Sequence, residues 1–169
     1  MQIFTIGHGA KPVDEFISLL KTYKVQRIVD VRTIPRSRHN PQFNKEILPK
    51  SLKKVHIGYI HIKGLGGLRH AKKDSVNMAW KNASFRGFAD YMQTEDFNKS
   101  VERLIKLAKQ KKISIVCAES VPWRCHRSLI ADALQVRGVQ VKHIMSRKTC
   151  NDHNLTPWAK VKDFQVTYP

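Results

Sequence analysis

The sequence predicts an α/β fold, a single three-layer domain built around a mostly parallel sheet of about five strands. Short apolar runs alternate along the chain with longer segments in which apolar residues recur at helical spacing. Strands that alternate with helices in this way usually form a parallel sheet with helices on its faces. No linker-like break interrupts the 169 residues, so one domain is expected over residues 1–169.

The first β-α-β unit is predicted within residues 1–32. An apolar strand at residues 1–7 ends at a glycine-containing turn, and residues 11–23 carry apolar side chains at helical spacing. Pro12 suits the first turn of that helix. A second apolar strand follows at residues 27–32, and the unit implies parallel strands joined by a right-handed crossover.

The central part of the chain alternates irregular segments with shorter elements. The basic, proline-containing residues 33–54 predict a loop with a short helix near its end, and the aperiodic residues 64–83 predict a second long loop. The regular elements expected here are a strand at 55–62, a short helix at 85–92 and a helix at 97–112 capped by Thr94.

Two strands and one helix are predicted in the last third of the chain. Residues 113–117 form a buried fourth strand, residues 125–136 a helix that ends before Gly138, and residues 140–145 a fifth strand. With strand 1 central, the expected order is 3-2-1-4-5, a Rossmann-like arrangement. The polar residues 146–169 are expected to be a C-terminal extension that adds an edge strand or packs as a tail.

The chain is strongly basic, with 31 Lys and Arg residues against 13 Asp and Glu residues and a formal net charge of +18. Such an excess attracts polyanions. A phosphate-bearing small molecule or a nucleic acid is therefore the expected partner, the alternative being a solvated basic surface. No apolar run could span a bilayer and no signal peptide is evident, so we expect no membrane partner and a cytoplasmic location. Three cysteines without paired spacing do not predict a disulfide framework.

The turn after the fourth strand carries the densest chemistry in the chain. A turn that only connects two elements usually carries Gly, Asn, Asp or Ser. This one instead carries thiols, a carboxylate, an imidazole and guanidinium groups, on Cys117, Glu119, Arg124, Cys125, His126 and Arg127. These groups bind anions or move protons, so the turn is the predicted site.

Polar side chains also follow the first two strands. His8 comes after strand 1, and Asp30 and Arg32 lie at the end of strand 2. Ligands of open parallel sheets bind beyond the carboxyl ends of the strands, so these residues and Glu119 are expected to converge on one crevice. His8, Asp30 and Glu119 are the candidates for acid–base catalysis, and Cys125 is the candidate nucleophile.

The predicted helix start at Cys125 favours anions, because free backbone N–H groups and the helix dipole point toward it. Arg124, His126 and Arg127 add positive charge there, and such an environment lowers the pKa of a thiol. Three interpretations remain open. The segment is a phosphate clamp, it holds a reactive thiol, or its basic side chains merely pair with nearby carboxylates.

Three further arginines are candidates for anion binding, because a guanidinium grips phosphate bidentately. Arg36 lies in a proline-shaped loop, and Arg69 follows a glycine-rich turn that lacks the P-loop spacing. Arg86 neighbours aromatic residues that either stack bases or pack into the core. Cys150 and His153 have the spacing of metal ligands, but two ligands are too few, so neither a metal site nor a cofactor is predicted.

Five blocks follow one another along the chain: Thr5-Ile-Gly-His8; Val29-Asp-Val-Arg32 with Pro35-Arg-Ser37; Leu65-Gly-Gly-Leu-Arg69; Phe85-Arg-Gly-Phe-Ala-Asp-Tyr-Met92; and Cys117-Ala-Glu119 with Pro122-Trp-Arg-Cys-His-Arg-Ser128. Together they resemble the family of the domain of unknown function 488, over residues 5 to about 144. Gly9 stands where the family commonly has serine. The resemblance implies a small prokaryotic, cytoplasmic α/β domain without an established reaction. It supports the choice of His8, Asp30, Arg32, Arg69, Arg86, Glu119, Cys125, His126 and Arg127 as motif residues.

The leading functional hypothesis is an Arg-lined pocket at the carboxyl ends of the strands that binds a nucleotide or a nucleic-acid segment. If the protein is an enzyme, hydrolase or transferase chemistry on such a ligand is expected. One alternative is a redox or transfer enzyme that depends on the Cys125 thiol. The other is a non-enzymatic, basic nucleic-acid-binding module.

Overall fold

Six strands of the computed structural model, which describes residues 1–169, form one sheet. They are β1 (Gln2–Gly7), β2 (Arg27–Asp30), β3 (Gly58–His61), β4 (Ile113–Cys117), β5 (Gln140–Ile144) and β6 (Cys150–Asp152). The first five run parallel, and β6 pairs antiparallel with β5. The strands β7 (Lys160–Lys162) and β8 (Gln165–Thr167) form a separate hairpin. The predicted α/β class with a mostly parallel sheet is confirmed.

Five α-helices connect the strands. They are α1 (Val13–Thr22), α2 (Leu48–Lys53), α3 (Ala83–Tyr91), α4 (Glu95–Gln110) and α5 (Arg127–Gln135). Short 3-10 turns lie at Pro41–Phe43, Lys63–Leu65 and Pro122–Arg124. Each predicted helix is present, with its ends moved by a few residues. None of them combines the length and the apolar character that crossing a membrane requires.

The strand order is β3-β2-β4-β1-β5-β6, so the expected order 3-2-1-4-5 is wrong. β4 pairs with β2 on one side and β1 on the other, and all five of its residues are buried. A strand of this composition suits a position where both of its faces are covered. The crossover through α1 passes over that position, and an apolar pattern does not specify how many positions a crossover skips. The carboxyl ends of β1, β2 and β4 are neighbours in either order.

Helices cover both faces of the sheet. α1 and α2 pack on one face around Phe16, Leu20 and Leu52. The core on the other face joins α3, α4 and α5 around Phe88 and Leu104. The chain moves toward β3 after β2 but back toward β5 after β4, so the two connections diverge. A parallel sheet leaves a crevice at such a switch point.

The predicted helix ends have identifiable local causes. Thr94 Oγ1 accepts the N–H of Phe97 at 3.3 Å, which confirms the cap of α4. Asn82 Oδ1 accepts the N–H groups of Ser84 and Phe85 at 2.8 and 3.2 Å and so begins α3. Gly138 has a φ of +80°, the left-handed conformation that favours glycine just beyond a helix end.

The C-terminal residues 146–169 contribute to the core, although their composition is polar. Tyr168 is fully buried, and its hydroxyl donates to Asp132 Oδ2 of α5 at 2.7 Å. Thr156 Oγ1 donates to the same oxygen at 2.7 Å, and His153 Nε2 donates to Oδ1 at 2.7 Å. Because Asp132 is fully buried, its carboxylate depends on these donors to replace lost hydration.

We expect the Tyr168→Phe substitution to destabilise the fold by about 1.5–3 kcal/mol, the usual contribution of a hydrogen bond to a charged group. The ring still fills its buried position, but Asp132 loses one donor. Urea unfolding followed by circular dichroism measures the change. Tyr23→Phe is the matched control, since the Tyr23 hydroxyl donates to the carbonyl of Ser146 at an exposed position. Equal losses in the two variants would contradict the expectation.

Candidate functional site

A pocket of about 420 Å³ opens at the carboxyl ends of β1, β2 and β4. Its volume lies in the range of roughly 300–1,000 Å³ that is typical of small-molecule sites. We call it the strand-end pocket. Its lining comes from five segments: His8; Arg32, Thr33, Ile34, Arg36 and Ser37; Gly67 and Leu68; Asn82, Ser84 and Phe85; and Cys117, Ala118, Glu119, Arg124, Cys125 and His126. Of the predicted site residues, only Asp30, Arg69, Arg86 and Arg127 are outside this lining.

Asp30 and Arg32 form a buried ion pair on one side of the pocket. Arg32 Nε and Nη2 donate to the Asp30 carboxylate at 2.9 and 2.7 Å, and Nη2 also donates to Phe43 O at 2.7 Å. The hydroxyl of Tyr59 donates to Asp30 Oδ2 at 2.5 Å. The Asp30 carboxylate is therefore saturated by internal donors, and Arg32 directs most of its donors away from a ligand.

His8 is held in a neutral form beside this pair. Its ring stacks on Phe43, with centroids 4.3 Å apart, and Nδ1 donates to Gly9 O at 2.7 Å. Nε2 is consequently the acceptor, and Arg32 Nη1 lies 3.3 Å from it. Burial is the main cause that lowers the pKa of His8 to about 4, and the charge of Arg32 adds to it. Both ring nitrogens are thus engaged within the protein.

Cys117 and Cys125 bring their sulfur atoms to 2.6 Å from each other in the lining of the pocket. Cys125 Sγ also receives the N–H of Arg127 at 3.4 Å and lies 3.5 Å from His126 Nδ1. Burial opposes ionisation of both thiols and raises the pKa of Cys117. For Cys125, hydrogen bonds with Cys117 and His126 outweigh burial and bring the pKa well below its usual value.

Arg127 braces the loop after β4 from inside the protein. Its side chain is 1% exposed, and Nη2 donates to Glu119 O at 2.7 Å while Nη1 donates to Thr5 Oγ1 at 3.1 Å. Arg69 stacks its guanidinium on Tyr91, 3.6 Å from the ring centroid. These cations, predicted to bind anions, are placed by the structure in internal contacts.

Arg86 likewise donates to backbone oxygens, those of Trp80 and Lys81, at 3.0 and 3.2 Å. Two other arginines do line the pocket. Arg124 makes no ion pair and no side-chain hydrogen bond, and Arg36 pairs only with the exposed Glu46 at 3.1 Å. The pocket therefore has cations at its rim that a ligand can reach.

The loop at residues 118–121 has backbone N–H groups without internal partners, and its first two residues, Ala118 and Glu119, line the pocket with these arginines. The backbone N–H groups of Ala118, Glu119, Ser120 and Val121 make no hydrogen bond within the protein. Glu119 is exposed, and its carboxylate forms no ion pair. The loop passes so close to β1 that a Cβ on Gly7 would lie 1.8 Å from Glu119 O, which explains the glycine there.

Sequence reasoning missed several parts of the site. Asn82 and Ser84 line the pocket at the start of α3, and in the sequence they indicate only a helix cap. Tyr59 reaches Asp30 because β2 and β3 are neighbours, as the expected strand order has them, but the sequence does not show which side chains of the two strands meet. Gly67 packs against the ring of His126, where a Cβ would be 2.7 Å from Nδ1. The glycine-rich turn therefore serves close packing.

Comparison with known proteins gives one match. The family model described as the domain of unknown function DUF488 matches residues 12–134, which include β2, β3, β4 and nearly all of α5. His8 lies outside the matched range. No curated protein and no solved structure matches the chain at a significant level.

We expect the imidazole of His8 to titrate near pH 4, since burial and Arg32 disfavour its cationic form. The unfolded chain takes up this proton near pH 6.5. Stability should therefore fall as the pH drops from about 6.5 to 4, where only the unfolded state binds the proton. Histidine NMR resonances followed against pH, with His8→Gln to assign the signal, measure the midpoint. A midpoint near 6.5 would contradict the buried neutral assignment.

Proposed function

Since the chain belongs to the family of the domain of unknown function DUF488, we propose a function from the chemistry of its own site: the strand-end pocket binds a phosphate-bearing ligand, a nucleotide or a nucleic-acid segment. The observation that carries the proposal is that Ala118 and Glu119, whose backbone N–H groups make no hydrogen bond within the protein, line the pocket together with the unpaired guanidinium of Arg124. Oriented N–H groups and arginines are the donors that phosphate oxygens prefer.

The cationic side chains of the pocket have distinct roles in this proposal. Arg124 has no internal partner, so it can contact a ligand without breaking an existing bond. The side chains of Arg36 and Glu46 are both exposed, and an exposed ion pair contributes little free energy, so Arg36 can leave Glu46 for a ligand at little cost. Arg32 and Arg127 make internal bonds instead, so they support the pocket wall and do not grip the anion.

Apolar groups in the lining suit the rest of a nucleotide-sized ligand. Ile34 and Leu68 are 64% and 70% exposed, and Phe85 presents a ring that is fixed by stacking on Trp80, with centroids 5.0 Å apart. Aromatic faces stack nucleobases in many sites. The net charge of +18 brings anionic ligands toward the protein at long range.

Glu119 is the group best placed for acid–base work on such a ligand. It is the only acidic residue in the lining, and its carboxylate is free. Asp30 and His8, the other predicted acid–base candidates, have their polar atoms engaged by Arg32, Tyr59 and Gly9. If the bound ligand reacts by hydrolysis or group transfer, Glu119 is the proposed general base.

Isothermal titration with a nucleoside triphosphate and a short oligonucleotide tests the proposal. We expect Arg124→Gln to weaken binding by roughly 10- to 100-fold, the equivalent of one hydrogen bond to a charged group. Arg103→Gln is the matched control, because Arg103 lies exposed on α4 outside the pocket and carries the same charge. Equal losses in both variants, or no binding by the wild type at low salt, would refute the pocket as the site.

The salt dependence of binding separates this proposal from the non-enzymatic nucleic-acid module, which the net charge of +18 also favours. For a pocket ligand, we expect Arg124→Gln to reduce the slope of log K against log salt by about one unit. Glu119→Gln should retain binding in either case. A steep slope with an oligonucleotide that Arg124→Gln leaves unchanged would favour the module, because the contacts would then be spread over the basic surface.

A further inference from the structure

We propose that Cys117 and Cys125 form a redox-active dithiol in the wall of the strand-end pocket, and that this dithiol reduces low-molecular-weight disulfides by thiol–disulfide exchange. In this activity Cys125 is the attacking sulfur and Cys117 resolves the mixed disulfide. The inference stands on the geometry of the two thiols and is independent of the phosphate-binding proposal.

The fold itself brings the two sulfur atoms together. Cys117 ends β4 and Cys125 comes just before α5, and the intervening loop folds back through the 3-10 turn at Pro122–Arg124. The Sγ atoms are 2.6 Å apart, so a short movement gives the S–S bond length of about 2.05 Å. Both residues line the pocket, with exposed fractions of 2% for Cys117 and 7% for Cys125, so the pocket is the route by which a small molecule approaches the pair. Cysteines that serve only as core side chains need neither adjacent sulfur atoms nor a position in the lining of a pocket.

The surroundings of the pair distinguish the two sulfurs. Cys125 Sγ receives the backbone N–H of Arg127 at the start of α5, which stabilises a thiolate. His126 Nε2 donates to Val31 O, so Nδ1, 3.5 Å from Cys125 Sγ, is the ring nitrogen that can take up the thiol proton. The polar partners of Cys117 Sγ are Cys125 Sγ and the carbonyl oxygen of Glu119 at 3.7 Å, and either one accepts its single proton, which favours the neutral thiol. The direction of the pKa shifts agrees, lowered for Cys125 and raised for Cys117. Cys125 is also the more exposed of the two.

The proposed exchange takes place in two balanced steps. In the first, the Cys125 thiolate attacks one sulfur of the ligand disulfide, the ligand S–S bond breaks, and one ligand thiolate leaves and takes up a proton. In the second, Cys117 loses its proton to solvent and attacks Cys125 Sγ, and the other ligand thiolate leaves. The protein dithiol is thereby oxidised to a Cys117–Cys125 disulfide, and the ligand disulfide is reduced to two thiols.

The remaining cysteine provides an internal control. Cys150 lies on the edge strand β6, is half-buried and has no sulfur partner. Burial raises its pKa, so it should react as a slow, ordinary thiol. Any preference for Cys125 in the same molecule is then independent of protein concentration and of folding yield.

The test treats the reduced protein with hydroxyethyl disulfide at neutral pH, quenches with N-ethylmaleimide and maps the products by mass spectrometry. We expect the wild type and Cys150→Ser to lose two hydrogen masses and to yield a peptide pair joined through Cys117 and Cys125. Cys117→Ser should stop at a mixed disulfide on Cys125, and Cys125→Ser should form neither product. Cys125 should react at least roughly tenfold faster than Cys150, in line with a larger thiolate fraction.

Several results would overturn the proposal, and the decisive ones come from the wild type, which needs no substitution to fold. Three cysteines that all remain open to N-ethylmaleimide after treatment would exclude the exchange. Equal rates at Cys125 and Cys150 would exclude an activated thiol. If a Cys→Ser variant unfolds by circular dichroism, the corresponding Cys→Ala variant replaces it, and a mixed disulfide on Cys117 instead of Cys125 would reverse the assigned roles.

Discussion

The buried guanidinium of Arg127 joins the strand-end pocket and the C-terminal edge of the sheet in one hydrogen-bonded structure. It donates to Glu119 O in the loop after β4 and to Thr5 Oγ1 in β1. From Thr5 the hydrogen bonds continue through His143 and His153 to the carboxylate of Asp132. Burial, followed by the charges around it, lowers the pKa of His143 to about 3, so the linking imidazole is uncharged near neutral pH. No carboxylate pairs with Arg127 directly, and oriented carbonyl and hydroxyl dipoles therefore replace water around a buried charge. The loop that shapes the pocket is held by the same contacts that hold the core.

The arginines of the site fall into two groups, those that are hydrogen-bonded inside the protein and those whose donors are free for a ligand. Arg32 and Arg127 are buried and donate to acceptors inside the protein, with the buried Nε of Arg127 left without a partner, whereas Arg124 is exposed without a partner. Breaking a buried pair such as Asp30–Arg32 costs about 3–5 kcal/mol, which a single new contact with a ligand does not offset. An arginine that is already satisfied inside the protein is therefore a poor ligand for an anion, whatever its distance from the pocket. Proximity alone does not make it one.

The sequence predicted which side chains meet at the strand ends better than which of them keep free polar atoms. His8, Glu119 and Cys125 converge because the ends of neighbouring parallel strands meet at one edge of a sheet, and this holds for either strand order. The position of β4 could not be predicted, because an apolar run shows that a strand is buried but not which strands flank it. The contact of Arg127 with Glu119 O could not be predicted either, since a backbone oxygen is an acceptor that any residue could supply. The contact of Tyr168 could not be predicted either, because nothing in a polar C-terminal segment indicates that a tyrosine hydroxyl donates to a carboxylate 36 residues away in the chain.

The two proposals concern one pocket, and its electrostatics link them. A Cys125 thiolate and a bound phosphate are both anions, and their proposed donors, the N–H of Arg127 for the thiolate and Arg124 with the loop after β4 for the phosphate, belong to one short segment of the chain. Each anion disfavours the other by Coulomb repulsion in a partly buried site, where screening is weaker than in water. Linkage makes this effect reciprocal: a phosphate-bearing ligand raises the pKa of Cys125, and a disulfide between Cys117 and Cys125 removes the competing charge. If both proposals hold, oxidation of the pair strengthens anion binding in the pocket.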